Sequence, residues 1–97
     1  SGANGGNVTL SLKNQEVIGS IVVDSISTFD MNLTSSYYEG VINNSNTAKK
    51  ISLTISKDSK IKLTGDTYVS SLTNEDETNS NIDFNGYKLY VNNVAIN

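Results

Sequence analysis

Four acidic side chains crowd one short stretch, Glu75-Asp76-Glu77 and Asp83, with Asn79 and Asn81 among them. Carboxylates and amides are hard oxygen donors, and Ca²⁺ takes roughly six to eight such oxygens at about 2.3–2.6 Å. Glu75, Asp76, Glu77 and Asp83 are therefore the candidate metal ligands, with Ca²⁺ as the cofactor to consider. Their spacing departs from the EF-hand loop and from the glycine-aspartate repeat of calcium-binding β-rolls. The stronger expectation is a solvated loop and no cofactor.

Other chemistry is limited by what the chain lacks. It has no His, Cys or Arg, and all seven cations are Lys. Imidazole and thiolate metal sites, thiol nucleophiles and disulfides are excluded, and a serine nucleophile has no imidazole base. The nearest pair of acids for glycoside hydrolysis is Glu16 and Glu39. Such a pair must face each other about 5–9.5 Å apart, and these two read as separate, solvated turn residues. No enzyme is expected. Three tyrosines remain as ligand-binding candidates: Tyr38, Tyr68 and Tyr90. An outward ring beside Asn and Thr offers an apolar plate for a pyranose and amides for its hydroxyls. Tyr37 and Tyr38 are adjacent, so on one strand only one of them points in.

The elements that must position these groups are strands. "VTLSL" sets Val8, Leu10 and Leu12 on one face; "FDMNL" sets Phe29, Met31 and Leu33; "ISLTISKDSKIKL" sets Ile51, Leu53, Ile55, Ile61 and Leu63. "IDFNGYKLYV" adds Ile82 and Phe84, then Tyr87, Leu89 and Val91. This is the period-2 pattern of half-buried strands, and no apolar stripe at helical spacing is sustained. Asn- and Ser-rich clusters separate the runs, and Asn85-Gly86 is the strongest two-residue turn signal. It suits a hairpin or a corner.

The strands also repeat. Leu10, Met31 and Leu53 recur at about 21 residues, as do Leu12, Leu33 and Ile55, and Gly19 recurs as Gly40. A fourth, poorer beat runs from Ile82 to Ile96. One lap per period places like residues above one another at the ~4.8 Å spacing of neighbouring strands. Internal ladders Leu10–Met31–Leu53 and Ile21–Ile42–Leu63 are expected. Beyond Ile55 the register allows either Ser59 or Ile61 beneath Tyr38. Gly19 and Gly40 mark a corner where a side chain collides or φ is positive. The fold class is all-β, a small right-handed parallel β-helix of three to four coils, with a β-sandwich as the alternative. Residues 1–7 read as an appended linker and 8–97 as one β-solenoid domain.

Coils of about 21 residues with "LxL…GxI", closing on "SNIDFNGYKLYVNN", resemble the short right-handed parallel β-helix modules of secreted and cell-surface proteins of low-GC Gram-positive bacteria. The resemblance covers about residues 8–96. It implies an extracellular or cell-surface setting and an adhesive or polysaccharide-associated role without catalysis. Pectate-lyase-like relatives of that architecture use an Arg base and Asp-bound calcium. This chain has no Arg, and Asp24, Asp30, Asp58, Asp66, Asp76 and Asp83 are scattered among coils and turns.

Charge and edges set the expected partners. Net charge is −3 with no like-charge block, so no nucleic-acid partner is expected. No apolar run approaches the ~20 residues that span a bilayer, so no membrane insertion is expected. Solenoid ends expose unpaired strand edges, which makes a homo-oligomer through coil edges one expectation and a polysaccharide ligand the other.

Overall fold

A computed structural model of the chain describes residues 7–21, 27–43 and 50–97. Eleven strands and no helix are present among them. The first coil carries β1 (Asn7–Lys13) and β2 (Glu16–Ile18), and the second β3 (Thr28–Thr34) and β4 (Tyr37–Gly40). The third carries β5 (Lys50–Ile55), β6 (Lys60–Leu63) and β7 (Thr67–Val69). The fourth carries β8 (Ser71–Asn74), β9 (Ile82–Asp83) and β10 (Leu89–Val91), and β11 (Val94–Ala95) ends it. One sheet runs β1-β3-β5-β8, a second β2-β4-β6-β9, and a third β11-β10-β7. Every pairing is parallel except β10 with β11. The chain is a β-solenoid of about four turns.

The ladders follow from the register. Leu10, Met31, Leu53 and Leu72 are successive rungs, as are Leu12, Leu33, Ile55 and Asn74. Burial depends on position in the stack. Met31 and Ile55 are fully buried, whereas Leu10 and Leu72, at the two ends, only pack partly against the core. A rung is shielded by the coils on both sides of it, so two or three laps are the least that make a dry interior.

The step between rungs is not constant. It is 21 residues from Asn7 to Thr28, 22 from Thr28 to Lys50 and 19 from Ser52 to Ser71. In the second sheet it widens to 23 between Tyr37 and Lys60. The extra residue lies at the corner between the first and second sheets: Asn14-Gln15 and Ser35-Ser36 make it in two residues, whereas in the third coil β5 ends one residue sooner and residues 56–59 make it in four. Ile61 rather than Ser59 therefore lies under Tyr38, and Leu63 lies under Gly40. This corrects one expected ladder. Ile21 and Ile42 do form a parallel bridge, but Ile42 is followed by the Thr67–Tyr68 backbone, its N–H donating to Thr67 Oγ1 at 3.3 Å and its carbonyl accepting from Tyr68 N at 3.1 Å.

Gly40 is the collision case. A Cβ built there would strike the Gly19 carbonyl oxygen outright and lie 2.6 Å from the Tyr38 hydroxyl. Asparagine does most of the remaining left-handed work: Asn14, Asn43, Asn79, Asn85, Asn92 and Asn93 all have φ between 51° and 64°, joined by Ser35 at 49°. Its short amide bonds locally and tolerates that region. At Asn85 (φ 52°) and Gly86 (φ 82°), with Tyr87 N donating to the Phe84 carbonyl at 2.8 Å, the backbone makes a tight turn. It turns a corner, because β9 and β10 join different sheets. The turn also lifts Tyr87 to 39% exposure, correcting its expected inward place. The hairpin is instead at Asn92-Asn93, between β10 and β11, where Val91 pairs with Val94. That reversal is why the fourth beat is poor.

Asn7 belongs to β1, opposite Thr28, so strand structure begins one residue before the expected start of the domain at residue 8. The rest of the expected linker, residues 1–6, lies outside the described residues, as does Asp24.

Candidate functional site

The acidic stretch is built by its own turns. β8 ends at Asn74, whose inward amide tops the Leu12–Leu33–Ile55 ladder. Asn74 Nδ2 donates to Asn79 Oδ1 (2.9 Å) and Asn81 Oδ1 (2.7 Å), while Asn81 Nδ2 returns a bond to Asn74 Oδ1 (3.0 Å). Asp76 folds the loop that follows. Its Oδ1 accepts from Thr78 N (3.0 Å) and Thr78 Oγ1 (2.6 Å), and its Oδ2 from the Ser80 hydroxyl. The Ser80 and Thr78 hydroxyls hold its carboxyl down at about 2. Glu75 accepts from Lys57 N at 3.0 Å, and Asp83 from Asn85 N at 3.0 Å. Glu75, Asp76, Glu77 and Asp83 do not converge, and among the described residues no three acids gather around a common point. Asp76 and Asp83 shape turns, and Glu75 ties the loop to the Lys57 backbone.

The three candidate tyrosines part company. Tyr38 is 1% exposed, its hydroxyl donating to the Gly19 carbonyl and, at 3.3 Å, to that of Val41. Burial pushes its phenol up to about 12. It is a core residue and offers no face to a ligand, which corrects its place among the binding candidates. Tyr68 and Tyr90 are brought together as partners in β7 and β10. Their ring centroids are 4.6 Å apart and their planes 5° from parallel. Each ring thus covers one face of the other, and the plate that a pyranose requires is reduced to edges and one outer face per ring.

A different tyrosine sits on an open wall. Sheet alternation puts Tyr37 outward once Tyr38 points in, and Tyr37 lies in a column between Glu16 and Lys60. Its hydroxyl donates to Glu39 Oε1 at 2.7 Å. That bond, then partial burial, then the charges of Glu39, Glu16 and Asp83 raise its phenol to about 12. Beside this column, at the corner, a groove of about 460 Å³ is lined by Asn14, Gln15, Ser35, Ser36 and Asp58. Its floor is tied across three coils: Gln15 N donates to Ser36 Oγ (3.1 Å), Ser36 N to Ser59 Oγ (3.0 Å), and Ser36 Oγ to the Thr34 carbonyl (2.8 Å). The Ser35 hydroxyl, with that of Ser56 at 2.6 Å, bonds to Asp58 and holds its carboxyl below the usual range.

Glu16 and Glu39 fall in adjacent columns of the second sheet with Tyr37 bonded to the latter, so they do not face each other across a gap. The groove itself was missed at sequence level. One signal pointed to it: the recurrence of Gly19 as Gly40 sets Val17 over Tyr38, which makes Tyr38 internal and therefore Tyr37 external.

No protein-family model, no curated protein and no solved structure matches this chain. Its class is defined by the fold alone, a four-turn parallel β-solenoid.

Proposed function

We propose that the chain is a non-catalytic β-solenoid module of a secreted or surface-exposed bacterial protein, structural and adhesive in role, which associates with a second copy through its first coil. The extracellular setting follows the resemblance to surface β-helix modules. The association rests on one observation, the long edge of β1. Asn14 N donates to the Thr34 carbonyl, and in a parallel ladder the backbone groups of alternate residues face alternate neighbours. The N–H and C=O groups of Asn7, Thr9, Ser11 and Lys13 therefore point away from β3, where no strand lies among the described residues. Val8 (52% exposed) and Ile18 (68%) stand beside that edge.

Such an edge is a template for another strand. A twofold axis lets β1 meet its own copy antiparallel, and an isologous contact closes at two. Head-to-tail stacking is less suited, because β8 and β9 offer four- and two-residue edges and β11 already covers β10. A single seven-residue pairing falls short of the roughly 1,200–2,000 Å² of stable complexes, so micromolar or weaker affinity is expected. Light scattering behind size exclusion, over a dilution series reaching hundreds of micromolar, tests this. A mass rising from monomer to dimer supports the reading. A monomer throughout overturns the association.

A further inference from the structure

We infer that the corner groove beside Tyr37 binds a neutral sugar, presented as a short oligosaccharide or a chain end. The register arranges the groove as three columns: Asn14 and Ser35 on one wall, Gln15 and Ser36 on the floor, Glu16, Tyr37 and Lys60 on the other wall. Asn14 and Ser35 sit at positive φ (53° and 49°), and this notches the corner where a continuous strand would leave a ridge. It is a shallow, largely open groove of about 460 Å³, which suits a ligand held by one face.

The division of its polar groups points to a ligand. The Gln15 backbone and Ser36 of the floor, and the Asp58 carboxylate, are held by bonds within the protein. On the rim, the amides of Asn14 and Gln15, the Glu16 carboxylate and the Lys60 ammonium make no side-chain hydrogen bond among the described residues, although all line the same space. Amides donate and accept, a carboxylate accepts and an ammonium donates. Vicinal hydroxyls, each both donor and acceptor, answer that mixed set. Two carboxylates, Glu16 and Asp58, against the single Lys60 ammonium disfavour an anionic ligand. Between the walls the Tyr37 ring is pinned by its bond to Glu39, so an apolar plate for the C–H face of a pyranose is in place before binding. The site lies on the side of the solenoid and does not depend on self-association.

The test is a titration of the isotope-labelled chain with cello-, xylo-, manno- and chito-oligosaccharides, followed by amide chemical shifts. The expected result is saturable shifts centred on Asn14, Gln15, Ser36 and Tyr37 with at least one of these probes. Tyr37→Ala should weaken that binding roughly tenfold, about 1.4 kcal/mol. Tyr37→Phe, which keeps the ring, should stay within about threefold, well under that step. Tyr37 is on the surface, so thermal melts of both variants should stay close to the parent and show that any loss is local. No shifts with any probe at millimolar concentration overturns the inference. So do shifts centred on Tyr68 and Tyr90 instead, or equal binding by Tyr37→Ala.

Discussion

The two ends of this solenoid are finished in different ways. At the first coil β1 runs seven residues with no strand among the described residues on its outer side, and its apolar Val8 and neighbouring Ile18 are exposed. At the last coil the chain doubles back. β11 pairs antiparallel with β10, and Asn97 ties the end down: its Oδ1 accepts from Leu89 N (3.0 Å), its Nδ2 donates to the Tyr87 carbonyl (2.8 Å), and its carbonyl accepts from Lys88 Nζ (2.8 Å). Above the third-coil core the ladder changes from aliphatic to amide at Asn74. Among the described residues, one side of the stack presents strand backbone and the other is closed by side-chain amides. A coil is buried by the coils beside it, so the difference between the two lies in what covers them.

Truncations measure that contrast most strongly. Leu33→Ala, in the middle of its ladder, should cost about 2–5 kcal/mol in denaturant unfolding. Leu10→Ala, on the open first coil, should cost about half that or less, because its side chain is partly wet already. Equal costs would mean the first coil is covered. Gly40→Ala comes next. The Gly19 carbonyl and the Tyr38 hydroxyl have no room for a methyl, so about 1–3 kcal/mol should be lost to overpacking and to the displaced hydroxyl bond.

Smaller changes separate the ends from one another. Asn97→Ala should cost about 1 kcal/mol, and hydrogen exchange should quicken in β10 and β11 while β1 and β3 keep their protection. Ser11→Pro should abolish self-association yet change monomer stability little, because its N–H faces the open edge and proline is tolerated there. Light scattering and a thermal melt together check it. Leu12→Pro, one residue on, removes a donor to β3 and should fail to fold.

The smallest effect is one of pH. Asp76 has its carboxyl lowered from 3.8 to about 2 by Ser80 and Thr78. A depressed carboxyl stabilises fully above its unfolded value, and the contribution fades as pH falls through the folded one. The loop at 75–81 should therefore hold from neutral pH to about 4 and loosen between about 4 and 2, read from exchange at the Thr78 amide. Loosening that sets in near neutral pH would contradict this role of Asp76.

Much of the architecture was legible because a stacked coil writes its circumference into the chain. Leu10, Met31 and Leu53 had to recur, since each is the floor of the next. Leu63 escaped because the step grows first to 22 and then, at the polar corner 56–59, to 23, a shift of two against the beat of 21 that leaves the alternation of Ile61 and Leu63 intact. The Asn92-Asn93 hairpin was overlooked in favour of Asn85-Gly86, since both dipeptides can take two consecutive positive φ values and only the sheet partners tell a hairpin from a corner. The acids stood as candidate ligands on composition, beside the stronger expectation of a solvated loop. Asp76, Glu75 and Asp83 each accept from nearby backbone or hydroxyl donors, a bonding pattern with no trace in spacing alone. Tyr38 was misplaced for a simpler reason: a phenol was counted as a surface group although the alternation already put it inside, where its hydroxyl donates to the Gly19 carbonyl.

Hydrogen exchange of the β1 amides at low and high protein concentration addresses the open edge most directly. Edge pairing with a second copy predicts that Thr9 and Ser11 gain protection as concentration rises, while Leu10 and Leu12, already bonded to β3, do not change. Thr9 and Ser11 exchanging at the same fast rate at every concentration would contradict it.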